Sequence, residues 1–471
     1  MTQFSHLCTR KGTACYAPTP GTCWAGARPL PAFRARHVVP LLLALVLAAS
    51  AVAAAQEAAP PPLKLSLQQA VDLTLRQSPL LKASQEEVAM ASARLDAAKS
   101  ERRPIVSSTL FLTGGSMGAI YGTPAAVMPS VLINAPRSRF TDLDFMLMYP
   151  VYTGGRLRGQ IGRAAGEQKA SAAELEAMRL ELVLMTKTRY RKVEFAQANV
   201  EVFAKSVADA EERLRVDEAA FGVGKIPEFY VLRDRAELAN AQQMLTNAKR
   251  DLEVALVDLR SVMGVDQQSP LELTETLTEP PSVELKLPDL LTQAARKRPE
   301  LRRAREQIAA ANAGVAVARS AYRPQVGLAL MSDTMKAKGM PSFSGVAGGV
   351  VAALPILDGG RRRADLREAQ ARLRQAQASE AAVKLEVERQ VATSWQNLLA
   401  ARQNVQTSQA ALASAEEDYR VAQLRYTSGK SVNVEALDAL VALVRARTNH
   451  TQALYEVNVA ADELSRSLGE R

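Results

Sequence analysis

The stretch Arg425–Asp438, which reads RYTSGKSVNVEALD, holds the residue types most suggestive of chemistry in this chain. Its Gly-Lys-Ser at 429–431 matches the end of the phosphate-binding pattern G-x-x-x-x-G-K-[ST], in which backbone N–H groups and the lysine hold phosphates. Leu424 stands where that pattern needs its first glycine, so nucleotide binding is not predicted. Two acids, Glu435 and Asp438, follow in the same stretch, and their role depends on the elements that place them.

The side chains that usually carry catalysis or bind metal are scarce. All three cysteines lie within residues 1–55, and His450 is the one histidine after that segment. A lone histidine on a predicted helix is expected at the surface rather than as a ligand. Adjacent glutamates such as Glu86 and Glu87 point apart on a helix and make no acid/base pair. The sequence predicts no enzyme, no metal site and no cofactor.

The net charge of +10 first suggests a nucleic-acid partner, but the charge is unevenly placed. Residues 1–55 hold five basic residues and no acid, while the remainder mixes both signs along predicted helices. Mixed charge of this kind is typical of a solvated helical surface. Nucleic-acid binding is therefore not predicted.

Residues 1–55 have the pattern of a secretory leader. Arg34 and Arg36 precede an apolar run from Val38 to Ala55 that ends in A-x-A, which predicts a signal peptide cleaved near Ala55–Gln56. A membrane helix is the alternative, although the run is short for spanning. No second run of spanning length follows, so insertion of the mature chain in a membrane would use strands.

The remainder of the chain contains an internal sequence repeat. Residues 78–104 and 298–324 align at a spacing of 220, and YPVYTGGR (149–156) aligns with LPILDGGR (354–361) at a spacing of 205, which holds to the end. We therefore predict a tandem duplication. The first repeat spans 56–264, a linker spans 265–287, and the second repeat spans 288–471.

Each repeat predicts the same elements in the same order. Helices come first, then two strands, a long helix and a return helix. The strands are predicted at about 105–114 and 140–151, then at 325–333 and 345–354; the long helices at 156–221 and 361–428; the return helices at 228–263 and 432–468. The long helices would each be about 100 Å long. Large apolar residues recur every seven positions from Val391 to Tyr426, with small residues three positions later, which is typical of a coiled coil.

The strands show a period of two. In Asp142–Tyr149 the odd-numbered residues are apolar, while Asp142 and Asp144 lie on the other face. This alternation is typical of a transmembrane barrel strand, and a half-buried soluble strand has the same pattern. Four strands cannot enclose a hollow barrel, so an oligomer is expected.

The duplicated order of segments, LSLQQAVDLTLRQSPLL (65–81) and the Pro-x-x-x-Gly-Gly-Arg entry to each long helix together resemble the TolC family of outer-membrane efflux and secretion channels. The resemblance implies a mainly α fold with a small β part. It implies a homotrimer whose twelve strands close one β-barrel in the outer-membrane lipid and whose long helices form a coiled-coil α-helical barrel extending into the periplasm.

The resemblance also implies a function. The trimer would be the passive exit duct of a tripartite efflux pump or a type I secretion system, with a periplasmic adaptor (membrane fusion) protein as partner and an inner-membrane pump as an indirect one. Two alternatives stay open: an adaptor-like periplasmic coiled-coil protein, and a structural coiled-coil protein of the cell envelope.

The resemblance assigns roles to three groups of residues. Acids six and nine positions after the turn glycine would constrict the periplasmic entrance, together with a tyrosine: Glu435, Asp438 and Tyr426. Tip turns would contact the adaptor through Gly222, Gly224, Lys225, Gly429, Lys430 and Ser431. The strand-to-helix breaks would be Pro150, Gly154, Gly155, Pro355, Gly359 and Gly360.

Two points limit this assignment. Glu435 and Asp438 could instead stabilise the start of a helix through its dipole. Ser431 stands where the best-known member has an arginine, and Tyr230 stands where an acid is expected six residues after Gly224. The salt bridge that locks that member shut is therefore expected to be absent from this chain.

Overall fold

The chain is dominated by two matching sets of helices. A computed structural model describes residues 63–115, 119–120, 132–133, 138–281, 286–337 and 341–470, all within the unit Pro61–Arg471. The predicted leader lies outside the described residues. In the described part the first set is α1 (Leu67–Gln77), α2 (Pro79–Ser100), α3 (Arg156–Gly222) and α4 (Glu228–Met263), and the second is α5 (Leu287–Lys297), α6 (Pro299–Ser320), α7 (Arg361–Thr427) and α8 (Asn433–Ser467).

The long helices α3 and α7 begin in the same way. Each has 67 residues, or about 100 Å, and each follows two glycines with positive φ. The φ angles are 62° at Gly154 and 97° at Gly155, then 63° at Gly359 and 90° at Gly360. Only glycine adopts such angles without strain, so each pair allows the chain to turn directly into its long helix.

Two long strands precede each long helix, and the four together form one antiparallel sheet. Its order is β2 (Ile105–Gly115), β5 (Ser138–Tyr152), β7 (Gln325–Ala337) and β8 (Phe343–Ala353). The first two strands belong to the first copy and the last two to the second, and the copies meet where β5 pairs with β7. Short ladders join β1 (Leu63–Leu65) to β6 (Leu271–Leu273) and β3 (Ala119–Ile120) to β4 (Leu132–Ile133).

The two faces of this sheet differ in chemistry. The register places a continuous set of exposed apolar side chains on one face: Val106, Leu110, Leu112, Phe145, Tyr149, Leu328, Leu330, Val346 and Val350. The opposite face carries Asp142, Asp144 and Asp333 together with the exposed apolar residues Ile105, Phe111, Met148 and Val351. The alternation in Asp142–Tyr149 thus places the acids on one face only.

The helices pack around two apolar cores, one in each copy. Tyr190 and Val193 of α3 pack with Leu259 of α4, and Val391 of α7 packs with Val457 of α8; all five side chains are fully buried. His450 lies half-buried on α8, with its Nδ1 atom 3.1 Å from Ser408 Oγ of α7. Among the described helices none carries an apolar stretch long enough to cross a membrane.

Candidate functional site

The two tip turns, between α3 and α4 and between α7 and α8, have the same geometry. Gly224 and Gly429 both have φ of 72°. The N–H groups of Lys225 and Lys430 each donate to the carbonyl five residues earlier, both at 2.9 Å, which is the pattern of a Schellman turn. Both lysines are exposed, as are Gly222 and Gly224, whereas Ser431 is half-buried.

Glu435 and Asp438 lie on the exposed side of α8, in its first two turns. The Glu435 carboxylate accepts a hydrogen bond from Ser431 Oγ at 2.5 Å, and its Oε2 lies 3.6 Å from Arg425 Nη1. About half of the Glu435 side chain remains exposed. Its place in the first turn also suits stabilisation of the helix dipole. Glu435 therefore contacts α7 through Arg425, and both carboxylates remain exposed at the surface of their own chain.

Tyr426 is held in a buried polar network close to these acids. Its hydroxyl donates to Asp217 Oδ1 of α3 at 2.5 Å, and Asn433 Nδ2 at the start of α8 donates to Asp217 Oδ2 at 2.8 Å. Asp217 and Asn433 are fully buried. Because an unpaired buried carboxylate is costly, these two donors are needed to keep Asp217 in place.

Asp234 of α4 and Arg213 of α3 complete the network. Arg213 Nη2 donates to the backbone carbonyl of Asn433 at 2.8 Å, and its Nε lies 3.4 Å from Asp234 Oδ1. The guanidinium also lies over the Tyr426 ring, 5.8 Å from its centre. We name these five residues, Arg213, Asp217, Asp234, Tyr426 and Asn433, the tip latch. The latch joins α3, α4, α7 and α8.

Electrostatics make the latch sensitive to its surroundings. Of the two buried carboxylates, Asp234 forms the ion pair with Arg213 and is 1% exposed, whereas Asp217 accepts hydrogen bonds from Tyr426 and Asn433. Burial, together with the hydrogen bond to Asp217, raises the pKa of Asp234 to about 6. Burial likewise raises the pKa of Tyr426 above its usual range, so this hydroxyl remains a proton donor. The latch is stable only while its groups stay desolvated and paired.

Sequence reasoning found Tyr426 but missed Arg213, Asp217, Asp234 and Asn433. A signal was present in the comparison of the two copies. At the spacing of 205, Asp217 matches Ala422 and Asp234 matches Ala439, and both alanines are buried with Ala436 in a small apolar cluster. An acid at a position that holds a buried alanine in the other copy indicates a polar contact specific to one copy.

The strand-to-helix breaks differ in their surroundings. At Pro150 the pairing of β5 with β7 shifts register, so the regular ladder ends there. A Cβ added at Gly154 would lie 2.8 Å from Arg323 Cβ and 2.9 Å from the carbonyl of Ser320, whereas one added at Gly359 would meet nothing within 4 Å. Gly155 and Gly360 begin the two helices, and Pro355 lies just beyond the end of β8.

Comparison with known proteins identifies the family. The outer membrane efflux protein family matches residues 70–265 and 290–470. Protein CyaE of Bordetella pertussis is 26% identical and covers 86% of this chain and 84% of its own length. The cobalt-zinc-cadmium resistance protein CzcC of Cupriavidus metallidurans is 26% identical, over 68% of this chain and 75% of its own.

Solved structures share the fold at lower identity. The outer-membrane channel OprN superimposes with a TM-score of 0.71 at 23% identity, over 86% of this chain and 90% of its own. VceC from Vibrio cholerae gives 0.71 at 19% identity, over 86% and 96%. The resemblance drawn from the sequence is thereby confirmed: the chain belongs to the outer membrane efflux protein family.

Proposed function

We propose that three copies of this chain form an outer-membrane channel that serves as the passive exit duct of a tripartite efflux pump or a type I secretion system. Family membership supports the efflux role and favours it over the adaptor and structural alternatives. The proposal depends on the described strands and helices at the two sides of the chain. On one side lie β2 and α2, and on the other lie β8 and α7. The β5–β7 and α3–α6 contacts inside the chain indicate how these two sides could join between neighbouring chains.

Among the helices, the contact to be repeated between chains is that of α3 in the first repeat with α6 in the second. Helix α6 packs against α3 on one side and α7 on the other, whereas its counterpart α2 packs against α3. Repeating the α3–α6 contact would place α7 of one chain against α2 of the next. Leu385 of α7 is 68% exposed and Met90 of α2 is 52% exposed, so apolar surface is present for this contact.

The sheet has matching edges. Within the chain β5 pairs with β7, and the outer strands β2 and β8 have one described partner each. Pairing β8 of one chain with β2 of the next would repeat the β5–β7 junction. A head-to-tail contact of this kind generates a ring when its rotation closes. Three chains would supply twelve strands, with the apolar face toward lipid.

At the opposite end, the tips would form the periplasmic mouth. In a trimer, three copies of Glu435 and Asp438 would meet near the axis and attract cations into the entrance. The tip latch holds the two helical hairpins of one chain together. We propose that it replaces the salt bridge that Ser431 and Tyr230 preclude, and that opening requires its solvation.

The exposed tips are the proposed contact for a periplasmic adaptor, which would connect the channel to an inner-membrane pump. Beside the exposed lysines of both turns lie exposed apolar residues, including Val223, Phe229 and Leu424. Exposed apolar groups next to charged ones are suited to a protein partner. Lys225 and Lys430 would then contribute to the choice of partner.

The location and assembly can be tested directly. The full chain, expressed with its leader, should fractionate with outer membranes and migrate on gels as a trimer that heating converts to a monomer. A soluble periplasmic protein would overturn the proposal.

The entrance role of the carboxylates has a separate test. Glu435→Gln with Asp438→Asn should lower cation selectivity and weaken block by multivalent cations in planar bilayers. Glu228→Gln, a matched change in the first turn of α4, should leave both unchanged. Unaltered selectivity and block in the double variant would remove these residues from the entrance.

A further inference from the structure

Three aspartates meet on the acidic face of the sheet. Asp142 and Asp144 lie two residues apart on β5, and Asp144 pairs directly with Asp333 on β7. The three side chains therefore share one face. One carboxylate oxygen from each lies within 4.8 Å of the other two.

The environment of Asp142 points to a ligand. This residue is 1% exposed, and neither of its carboxylate oxygens has a hydrogen-bond partner among the described residues. Oδ1 of Asp333 is buried and unpartnered in the same way. Buried carboxylates in proteins are normally paired with a cation or coordinate a metal. Asp142 and Asp333 thus hold buried carboxylate oxygens that have no partner among the described residues, and a bound cation would satisfy them.

We propose that Asp142, Asp144 and Asp333 bind a divalent cation, with calcium preferred. The available donors are all carboxylate oxygens, which suit hard cations better than the ions that prefer histidine or cysteine. Calcium binds oxygens at about 2.3–2.6 Å, so two of its ligands can lie up to about 5 Å apart. Magnesium, at about 2.0–2.1 Å, demands near-ideal octahedral geometry and releases its waters reluctantly, so it suits a site built of protein carboxylates less well.

A bound cation would connect the two copies, because β5 belongs to the first and β7 to the second. The site is complete within one chain and does not depend on the proposed channel. The competing explanation is a proton shared between two of the carboxyl groups, which would satisfy the cluster without metal. The two explanations differ in their response to calcium.

Direct binding tests the proposal. The full protein in detergent, treated with EDTA and dialysed against radioactive calcium, should bind one ion per chain, and magnesium should compete at least tenfold more weakly. Asp142→Asn and Asp333→Asn should each weaken calcium binding at least tenfold. Asp251→Asn, a matched change on the exposed surface of α4, should leave it unchanged. The absence of saturable binding, or unaltered binding by Asp142→Asn, would overturn the proposal.

Thermal unfolding gives a second readout. In EDTA, Asp142→Asn should melt above the unaltered protein, because it removes repulsion between carboxylates. Added calcium should raise the midpoint of the unaltered protein and leave that of the variant in place. If Asp142→Asn does not assemble, Asp144→Asn must give the same two results: a higher midpoint than the unaltered protein in EDTA, and no change of that midpoint with calcium. A channel that conducts normally but shows no response to calcium would contradict the metal site alone.

Discussion

The first parts of the two long helices, residues 156–180 of α3 and 361–385 of α7, have matching sequence positions but different surroundings. Leu180 is 8% exposed, and its counterpart Leu385 is 68% exposed. Ala173 is buried, and its counterpart Ala378 is exposed. In α7, all of which is described, burial begins only at Val387. The same residue types are therefore core in one copy and surface in the other.

The difference follows from the neighbours of each helix. Helix α3 lies between α2 and α6, whereas α7 packs against α6, α5 and α8. An apolar stripe on a helix needs a partner to remove it from water, and α7 has the stripe without the full set of partners. Part of the apolar stripe of α7 is therefore uncovered in a single chain, and the proposed assembly would cover it.

The other ends of the same helices differ in the reverse sense. Near the tips α3 supplies buried Asp217, while α7 supplies buried Ala422 at the matching position. The tip of the second copy is packed with small apolar residues, and the first carries the charged part of the latch. At this position the second hairpin thus provides apolar packing and the first provides a polar contact.

The largest expected effect separates core from interface. Leu180→Asp should destabilise the folded chain by about 3–5 kcal/mol, because it removes a buried apolar side chain and buries a charge. Leu385→Asp should change the stability of the single chain by less than about 0.5 kcal/mol, yet prevent assembly. Circular dichroism and sedimentation in detergent measure the two effects. A Leu385→Asp protein that remains an oligomer would contradict the proposed contact.

A smaller effect is expected at the strand-to-helix breaks. Gly154→Ala and Gly359→Ala carry the same strain of about 1–2 kcal/mol from positive φ. In the monomeric Leu385→Asp background, Gly154→Ala should cost about 1–3 kcal/mol more, because its Cβ meets Arg323 and Ser320.

Assembly should remove this difference. The residues that match Ser320 and Arg323 are Ser100 and Arg103 at the end of α2, and these would approach Gly359 of the neighbouring chain. In the oligomer both variants should therefore lower the unfolding midpoint by similar amounts. If Gly359→Ala remains less destabilising than Gly154→Ala in the oligomer, a different part of the neighbouring chain lies beside Gly359.

The sequence was informative where chemistry is local. Glycine pairs after a strand indicate where α3 and α7 begin, and the alternation in Asp142–Tyr149 indicates the two faces of the sheet. It was uninformative about which matching residues are buried, because Leu180 and Leu385 are identical and only their neighbours differ. The latch was missed for the same reason. In the sequence Asp217 and Arg213 are typical of a solvated helix, and only the packing of α3, α4, α7 and α8 brings the latch residues together. The roles of Glu435 and Asp438 stay a prediction.

The smallest expected effect concerns the polar tip. The pKa of Asp234 is about 6 in the latch, above the ordinary value of 3.8, so the latched state binds this proton more tightly than a solvated state does. Protonation therefore favours the latch below pH 6, and this contribution is lost as the pH rises through 6. Between pH 7.5 and pH 5 the open population should fall about tenfold.

Single-channel open probability in planar bilayers measures this change. Asp234→Asn, which carries no titrating proton, should flatten it, while Asp251→Asn on the exposed side of α4 should not. An equal pH response in the unaltered protein and Asp234→Asn would show that another group causes the pH dependence of opening. Asp234 would then have no part in the difference between the two tips.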